Sequence, residues 1–417
     1  MMASRPGSAT RHDLAALDER DPLRLYRERF ELPEGVIYLD GNSLGPLPKG
    51  VEARLREVVQ TQWGHDLIMG WNLHDWVNMP RRVGAKIARL IGAQSDEVIA
   101  ADSTSVNLFK LLVGALGLRP GRRVIVSDSD NFPTDLYMVQ GVNELLGGYE
   151  LRFVQRDRLP GAIDEQVAVV LLTHVDYRSG ARYDMRTITS LAHRSGALTL
   201  WDLAHSAGAL ALELNACGAD LAVGCGYKYL NGGPGAPAFL FVARRLQAHL
   251  RPVLSGWFGH AAPFDFSPDY TPATDIRRML CGTPPILGLA ALDAALDAFA
   301  DVELKQIQDK SVMLTQRFID LVEAHCRGFG LQLATPREPA ERGSQVSFTH
   351  SEGYAVVQAL IARGVIGDFR APNIVRFGFA PLYLRHQDVG DAAMHLYDVL
   401  AARAWDTPQF KNRGVVT

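Results

Sequence analysis

The stretch ALTLWDLAH (residues 197–205), followed by LAVGCGYKYLNGGPG (residues 221–235), decides how this chain is read. Ala197 to Trp201 is a short apolar run ending directly in Asp202, with His205 three residues on. Leu221 to Gly224 is a second run, and it stops just before Tyr227-Lys228 and the glycine-rich Asn231 to Gly235. Brief, continuous apolar runs closed by turn signals read as strands of a parallel sheet covered on both faces. Ligands of such sheets sit beyond the carboxyl ends of the strands, so the acid, the histidine and the lysine reach one crevice. A lysine amine able to form a Schiff base, beside a carboxylate able to keep a ring nitrogen protonated, is what pyridoxal 5'-phosphate needs. Only the protonated ring is a strong electron sink.

Working outward, Glu97 to Ala100, Arg123 to Ser127, Ala168 to Thr173 and Ala238 to Val242 are runs of the same kind. Most are separated by helix-compatible segments, which predicts an α/β fold with a mostly parallel sheet and helices on both faces. Ala238 to Val242 follows Leu221 to Gly224 too closely for a helix and is expected to be antiparallel. Val36 to Leu39 reads as a strand closed by DGNSLGP, Asp40 to Pro46, while residues 1 to about 20 are polar and are expected to be mobile. After a loop-rich stretch from Pro252 to Pro285, one long helical pattern runs from Leu287 to His325. Strands at Gln345 to Thr349, Val365 to Phe369 and Ile374 to Phe379, with helices at Gly353 to Arg363 and His386 to Ala402, form a small α+β domain. The expected division is an N-terminal segment (1–45) packing with that domain, a large cofactor domain (46–290) and the small C-terminal domain (291–417).

Composition narrows the function. At 417 residues, 47% hydrophobic and 21% charged, the chain has the profile of a globular enzyme with a sizeable core. A net charge of -3 offers no basic field for nucleic acid or anionic membrane. Cys217, Cys225, Cys281 and Cys326 form neither a CxxC pair nor a zinc-ligand rhythm, so no metal site is expected and a reducing, cytoplasmic setting fits. No signal-type apolar region or membrane-spanning run is read. Nor are GxGxxG, GxxxxGK[ST] and HExxH present, which disfavours nicotinamide, P-loop and zincin chemistry.

Three further constellations carry polar groups. Asp102-Ser103-Thr104-Ser105 opens a helical pattern after a strand, where hydroxyls and free N–H groups hold a phosphate; taken alone, it is better read as an ordinary N-cap. Asn131-Phe132-Pro133-Thr134-Asp135 follows the Arg123 run, with an aromatic to stack on a planar ring; alone, it reads as a loop with a helix cap. Arg376 lies inside the apolar strand IVRFGF and needs an anion, either a substrate carboxylate or a structural salt-bridge partner. Jointly they fall at strand ends in the order one cofactor site requires.

Laid side by side, these segments resemble the kynureninase family of the bacterial type, among fold type I pyridoxal-phosphate enzymes. The resemblance rests on YLDGNSLG (38–45), TSVNLFK (104–110), NFPTD (131–135), THVDYRSG (173–180), WDLAHSAG (201–208), YKYLNGGPG (227–235), GWFGH (256–260), CGTPP (281–285) and RFGFAPLY (376–383). It implies a mostly parallel seven-stranded sheet with a small α+β C-terminal domain, and hydrolysis of L-kynurenine, less well its 3-hydroxy analogue, to anthranilate and L-alanine. Lys228 would carry the cofactor and move protons, Asp202 would pair with the ring nitrogen, and Tyr227 would relay a proton. Phe132, Pro133, Thr134, Asp135, Thr173 and His205 would surround the ring. Thr104, Ser105 and Tyr227 would hold the phosphate, joined by Trp257 and Thr283 from the second subunit of a homodimer. Arg376 would grip the α-carboxylate, with Asn42, Ser43, Trp71 and Gly282 lining the aryl side. Of the rival readings, a cysteine desulfurase would need a cysteine on a mobile loop, an aminotransferase a keto-acid acceptor, and a non-catalytic binding protein neither Lys228 nor Asp202.

Overall fold

A computed structural model describes residues 8–414. Its centre is a seven-stranded sheet in the order Val98–Ala100, Phe239–Val242, Leu221–Gly224, Leu198–Asp202, Val167–Thr173, Val124–Asp128, Glu150–Val154. The last five are parallel to one another. Phe239–Val242 is antiparallel to both its neighbours, as its spacing predicts. The seventh strand, Glu150–Val154, lies outside the sequence-based assignment. As an edge strand it is half-exposed and interleaves Glu150 and Arg152 with its apolar residues, so no continuous run marks it.

Each inner strand is buried throughout, and mostly apolar, because both faces are covered. In Val167–Thr173, Val170 and Leu172 join one core layer while Val169 and Leu171 join the other. Helix Thr104–Gly117 sends Leu108, Leu111, Leu112 and Ala115 onto the second layer, at the three-and-four spacing of one helix face. Helices Met79–Leu90 and Ile286–Leu296 cover the first through Val83, Ile87, Leu289 and Leu292. Each such leucine or isoleucine contributes about 2 kcal/mol by leaving water. Together they fix the sheet whose carboxyl edge carries Asp202.

The helical pattern expected to run unbroken from Leu287 to His325 is two helices, Ile286–Leu296 and Leu304–His325. Asp301 between them has φ 61°, which ends helical propagation. Carbonyls freed at the break are taken up by arginines: Arg29 donates to Ala298 and Ala300 (3.2 and 2.9 Å), and Arg89 to Phe299 and Val302. Apolar periodicity continues through the break because both helices face the same core.

Beyond lies a four-stranded antiparallel sheet in the order Gln332–Leu333, Gln345–Thr349, Ile374–Gly378, Asp368–Arg370. The run expected as one strand from Val365 to Phe369 divides at Gly367. Val365–Ile366 pairs instead with Ile37–Tyr38 in parallel. The N-terminus is a second correction: Ser8–Arg20, within the stretch expected to be mobile, is helical, and residues 1–7 lie outside the described residues. Its Leu14 is buried, and Asp18 accepts hydrogen bonds from the backbone N–H of His386 (2.6 Å) and Gln387 (3.1 Å). Those are orphan donors at the start of helix His386–Ala401, so two distant ends of the chain satisfy each other.

Candidate active site

At the carboxyl edge of the central sheet a cavity of about 250 Å³ is lined by Thr104, Ser105, Phe132, Thr134, Asp135, Thr173, Tyr177, Asp202, His205, Cys225, Tyr227 and Lys228, with Leu108 and Ala204. Strand Leu198–Asp202 ends on its acid, and the next parallel strand, Leu221–Gly224, is followed by the lysine segment. The lysine segment is held from outside by the N-terminal turn: the Gly45 N–H donates to the Tyr227 carbonyl at 2.8 Å. Only a residue without a side chain fits, since a Cβ on Gly45 would stand 2.4 Å from the Lys228 carbonyl oxygen.

Lys228 Nζ lies 5.9 Å from the centroid of the Phe132 ring and 5.8 Å from that of Tyr227. Among the described residues its amine has no hydrogen-bond partner. Asp202 is buried, one carboxylate oxygen accepting from the Ala204 N–H at 2.7 Å and the other making no hydrogen bond among the described residues. Burial raises its pKa, opposed by the Lys228 charge. Asp135 accepts from Thr173 Oγ1 at 3.0 Å, and burial together with the Asp202 charge raises it well above the usual carboxylate range. Both acids are raised by burial; Asp135 is raised further by the Asp202 charge, while Lys228 opposes the shift chiefly at Asp202. His205 is held through Nδ1 by Gln345 Oε1 at 3.0 Å. Burial and the charges of Lys228 and Arg376 depress its pKa, keeping the ring neutral. The Tyr227 hydroxyl is pushed up to about 12 by burial and stays a donor.

The phosphate-type corner resolves two readings of one segment. Ser103 is the N-cap of helix Thr104–Gly117, accepting from the Val106 N–H at 3.3 Å. Thr104 and Ser105 are left with hydroxyls that have no partner among the described residues, at the positive end of a 14-residue helix. Asp102, at φ 49°, is clamped by the fully buried Lys110, which also donates to the Met279 carbonyl. A lone amine, a carboxylate with a free oxygen, an aromatic wall and unpaired hydroxyls at a helix start fit pyridoxal 5'-phosphate.

Arg376 stands beside this cavity. Its guanidinium is buried and ion-paired with Asp368, donates to Ser43 Oγ and to the Tyr177 carbonyl (both 2.7 Å), and has Asp40 at 3.9 Å. Asn42, with its amide turned to satisfy both ends, accepts from Arg376 Nε at 3.2 Å. The structural salt bridge is therefore present, and Tyr177 links it to the cavity wall. Burial and Asp368 raise Asp40 to about 7.

Other candidate residues stand apart from the cavity lining. Pro133 serves as first residue of helix Pro133–Leu146. Trp71 packs edge-on to Trp76 and against Phe258, Phe258 packs on Trp257, and the Phe258 N–H donates to the Cys281 carbonyl. Trp257, Gly282 and Thr283 are exposed on this surface. Three contributors lacked an assigned role in the sequence reading: Tyr177, edge-on to Phe132 at 5.2 Å; Cys225; and Gln345, which also donates to the Asp176 and Tyr177 carbonyls. Gln345 opens the strand QVSFT, and a buried polar residue there was as visible as Arg376.

A family model described as the kynureninase C-terminal domain matches residues 307–396. The kynureninases of Burkholderia mallei (strain SAVP1) and Pseudomonas fluorescens are each 51% identical over 414 residues, covering 98% of this chain and 100% of theirs. Among solved structures, a cysteine desulfurase from Thermococcus onnurineus NA1 superposes with a TM-score of 0.76 at 21% identity, covering 96% of this chain and 100% of that one. A cystine C-S lyase in complex with cysteine persulfide gives 0.74 at 16% identity, covering 88% and 98%. A variant of that lyase carries glycine covalently linked to its pyridoxal phosphate cofactor. At such identities the likeness is one of fold.

Proposed function

Because the chain belongs to the kynureninase family, we propose that the cavity shared by Lys228 and Asp202 binds pyridoxal 5'-phosphate and hydrolyses L-kynurenine to anthranilate and L-alanine. One observation carries the reading: an unpaired lysine amine and a buried carboxylate with a free oxygen open on the same small cavity. When bound there, the cofactor supplies an electron sink for the carbon next to the substrate amine.

The chain's own residues do the rest. Lys228 removes the proton from the substrate α-carbon and later returns protons, because its amine has no competing partner. Asp202 would pair with the ring nitrogen, while burial and the Asp202 charge disfavour a second negative charge on Asp135, which accepts from Thr173. Phe132 supplies the stacking face, neutral His205 supports the ring without adding positive charge, and Thr104 and Ser105 take the phosphate. Tyr227, a phenol up to about pH 12, is placed to give a proton to the departing β-carbon. Water adds to the γ-carbonyl, and the bond between the β- and γ-carbons breaks. Arg376 receives the α-carboxylate by exchanging part of its contact with Ser43 and Asp368 for the ligand, with Asn42 beside it.

The exposed Trp257, Gly282 and Thr283, with the half-buried Trp71 packed on Phe258 behind Trp257, support a homodimer in which these residues complete the neighbour's site, Trp257 and Thr283 at the phosphate and Trp71 and Gly282 at the aryl ring. The pairing of Ile37–Tyr38 with Val365–Ile366 supports a division into 1–45, 46–290 and 291–417. No helix among the described residues is long and apolar enough to cross a membrane, and a cytoplasmic enzyme fits the four free cysteines. The test is incubation with kynurenine and cofactor but no keto acid: fluorescent anthranilate is expected. Its appearance only with an added acceptor would support an aminotransferase instead. Parallel turnover of 3-hydroxykynurenine is expected to be slower.

A further inference from the structure

One residue beyond the active-site Thr173, a second cavity begins. It has a volume of about 830 Å³, and His174, Arg156, Arg182, Arg186, Leu212 and Pro336 are among its walls. The three guanidiniums spend their bonds on neutral acceptors. Arg156 donates to the carbonyls of Arg182 (3.0 Å) and Ala181 (3.2 Å), Arg182 to that of Ala340 (2.6 Å), and Arg186 to that of Ala216 (2.7 Å). Among the described residues none of them pairs with a carboxylate within 4.0 Å. His174 is 5% exposed and its Nδ1 has no hydrogen-bond partner. Burial and the neighbouring arginines push its pKa to about 3, the nearby Tyr183 carbonyl only partly offsetting them, so the ring is neutral. Guanidiniums without a carboxylate partner, gathered on one cavity, call for an anion.

The rest of the lining selects which anion. Asp184, Glu213 and Glu341 stand exposed around the cavity and balance the arginines, which disfavours a polyanion. Leu212, Pro336, Met185 and Ile188 offer apolar surface. We propose that this cavity is an effector site for a small monocarboxylate with an apolar body. Its occupant would touch both halves of the molecule, because Pro336 and Ala340 come from the C-terminal part. The Arg182 N–H donates to the Glu341 carbonyl at 2.7 Å, and Ala181 bridges Arg342, three residues before the Gln345 that holds His205. On the other side the His174 N–H donates to the Asp202 carbonyl at 2.9 Å. Occupancy thus bears on the positions of His205 and Asp202 from outside the catalytic cavity.

The choice of anthranilate as probe rests on the activity given above; the site itself does not. Calorimetric titration of the holoenzyme with anthranilate is expected to show two sites per chain. Arg186→Glu, at an exposed position, is expected to weaken one of them about tenfold while leaving kcat/KM without added anthranilate unchanged; Arg182→Gln should do the same. Should Arg182→Gln unfold, Arg186→Glu decides alone. A single site per chain, or a second site indifferent to Arg186→Glu, overturns the inference, as does inorganic phosphate binding there as tightly as anthranilate. Kynurenine turnover is measured separately. An active enzyme with one site sinks only this inference, and two sites without turnover sink only the activity.

Discussion

Gly45→Ala adds a single carbon where the N-terminal turn meets the lysine segment. The new Cβ would lie 2.3 Å from Asn231 Oδ1, 2.4 Å from the Lys228 carbonyl oxygen and 2.7 Å from Asn231 Cα. Two of those three atoms are backbone and cannot rotate away. Since non-bonded heavy atoms rest at about 3.5 Å or more, the two segments must separate by about 1 Å. Overpacking of this kind costs about 1–3 kcal/mol. With a melting shift of roughly 2–4 °C per kcal/mol for large domains, Tm should fall by about 2–12 °C. The hydrogen bond from Gly45 to the Tyr227 carbonyl stretches at the same time, and Lys228 moves with it. A misplacement near 1 Å at reacting groups costs about a hundredfold, so kcat/KM should drop by one to two orders of magnitude. Gly141→Ala is the control. It sits inside helix Pro133–Leu146 with nothing within 4 Å of an added Cβ, and alanine there should stabilise by about 0.5–1 kcal/mol. Calorimetric melts and anthranilate fluorescence on both variants measure the contrast. A Gly45→Ala enzyme melting within 1 °C of the parent and retaining kcat/KM within threefold refutes the reasoning.

Asp202→Asn keeps the shape and removes the charge; with a close pair worth about 4 kcal/mol at an effective dielectric of 20, turnover should fall by about 10²–10³ while cofactor absorbance is retained. Activity within fivefold of the parent would contradict the role. Gln345→Leu strips the acceptor from His205 and two donors from the Asp176 and Tyr177 carbonyls, so a loss of about 1–3 kcal/mol in urea and weaker cofactor binding in spectral titration are expected. Unaltered cofactor affinity would show that His205 is held by other means. Asp40 offers a pH dependence: between the unfolded carboxylate value near 4 and its folded value of about 7, the folded chain keeps a proton that the unfolded chain has released. Its contribution to stability is therefore lost as pH rises through that window, by at most about 1.4 kcal/mol per unit, and is level above it. Asp40→Asn lacks this loss and should gain on the parent between pH 5 and 7 in urea unfolding; a difference constant with pH counts against the assignment.

The strands legible from the sequence are those buried on both faces, since only continuous burial forces a continuous apolar run. Glu150–Val154 escaped because an edge strand tolerates charge, and the break at Asp301 escaped because two helices on one core share a periodicity. Lys228, Asp202 and His205 were visible because strand ends concentrate polar residues after apolar ones. Gln345 stood out in its strand as Arg376 does, but its partner was hidden, since His205 lies 140 residues away in the chain. The side chains of Trp257 and Thr283 face outward here, and no pattern within one chain says where an exposed residue is used.

Asp18 and the helix it caps are 368 residues apart. During synthesis the ribosome needs roughly 20–70 s to deliver the second after the first. Helix Ser8–Arg20 and strand Ile37–Tyr38 must therefore wait without partners while the central sheet assembles behind them, and join only when residues 365–387 emerge. The first part of the polypeptide to be made is among the last to be locked, which makes it the segment most exposed to proteases and chaperones in a nascent molecule.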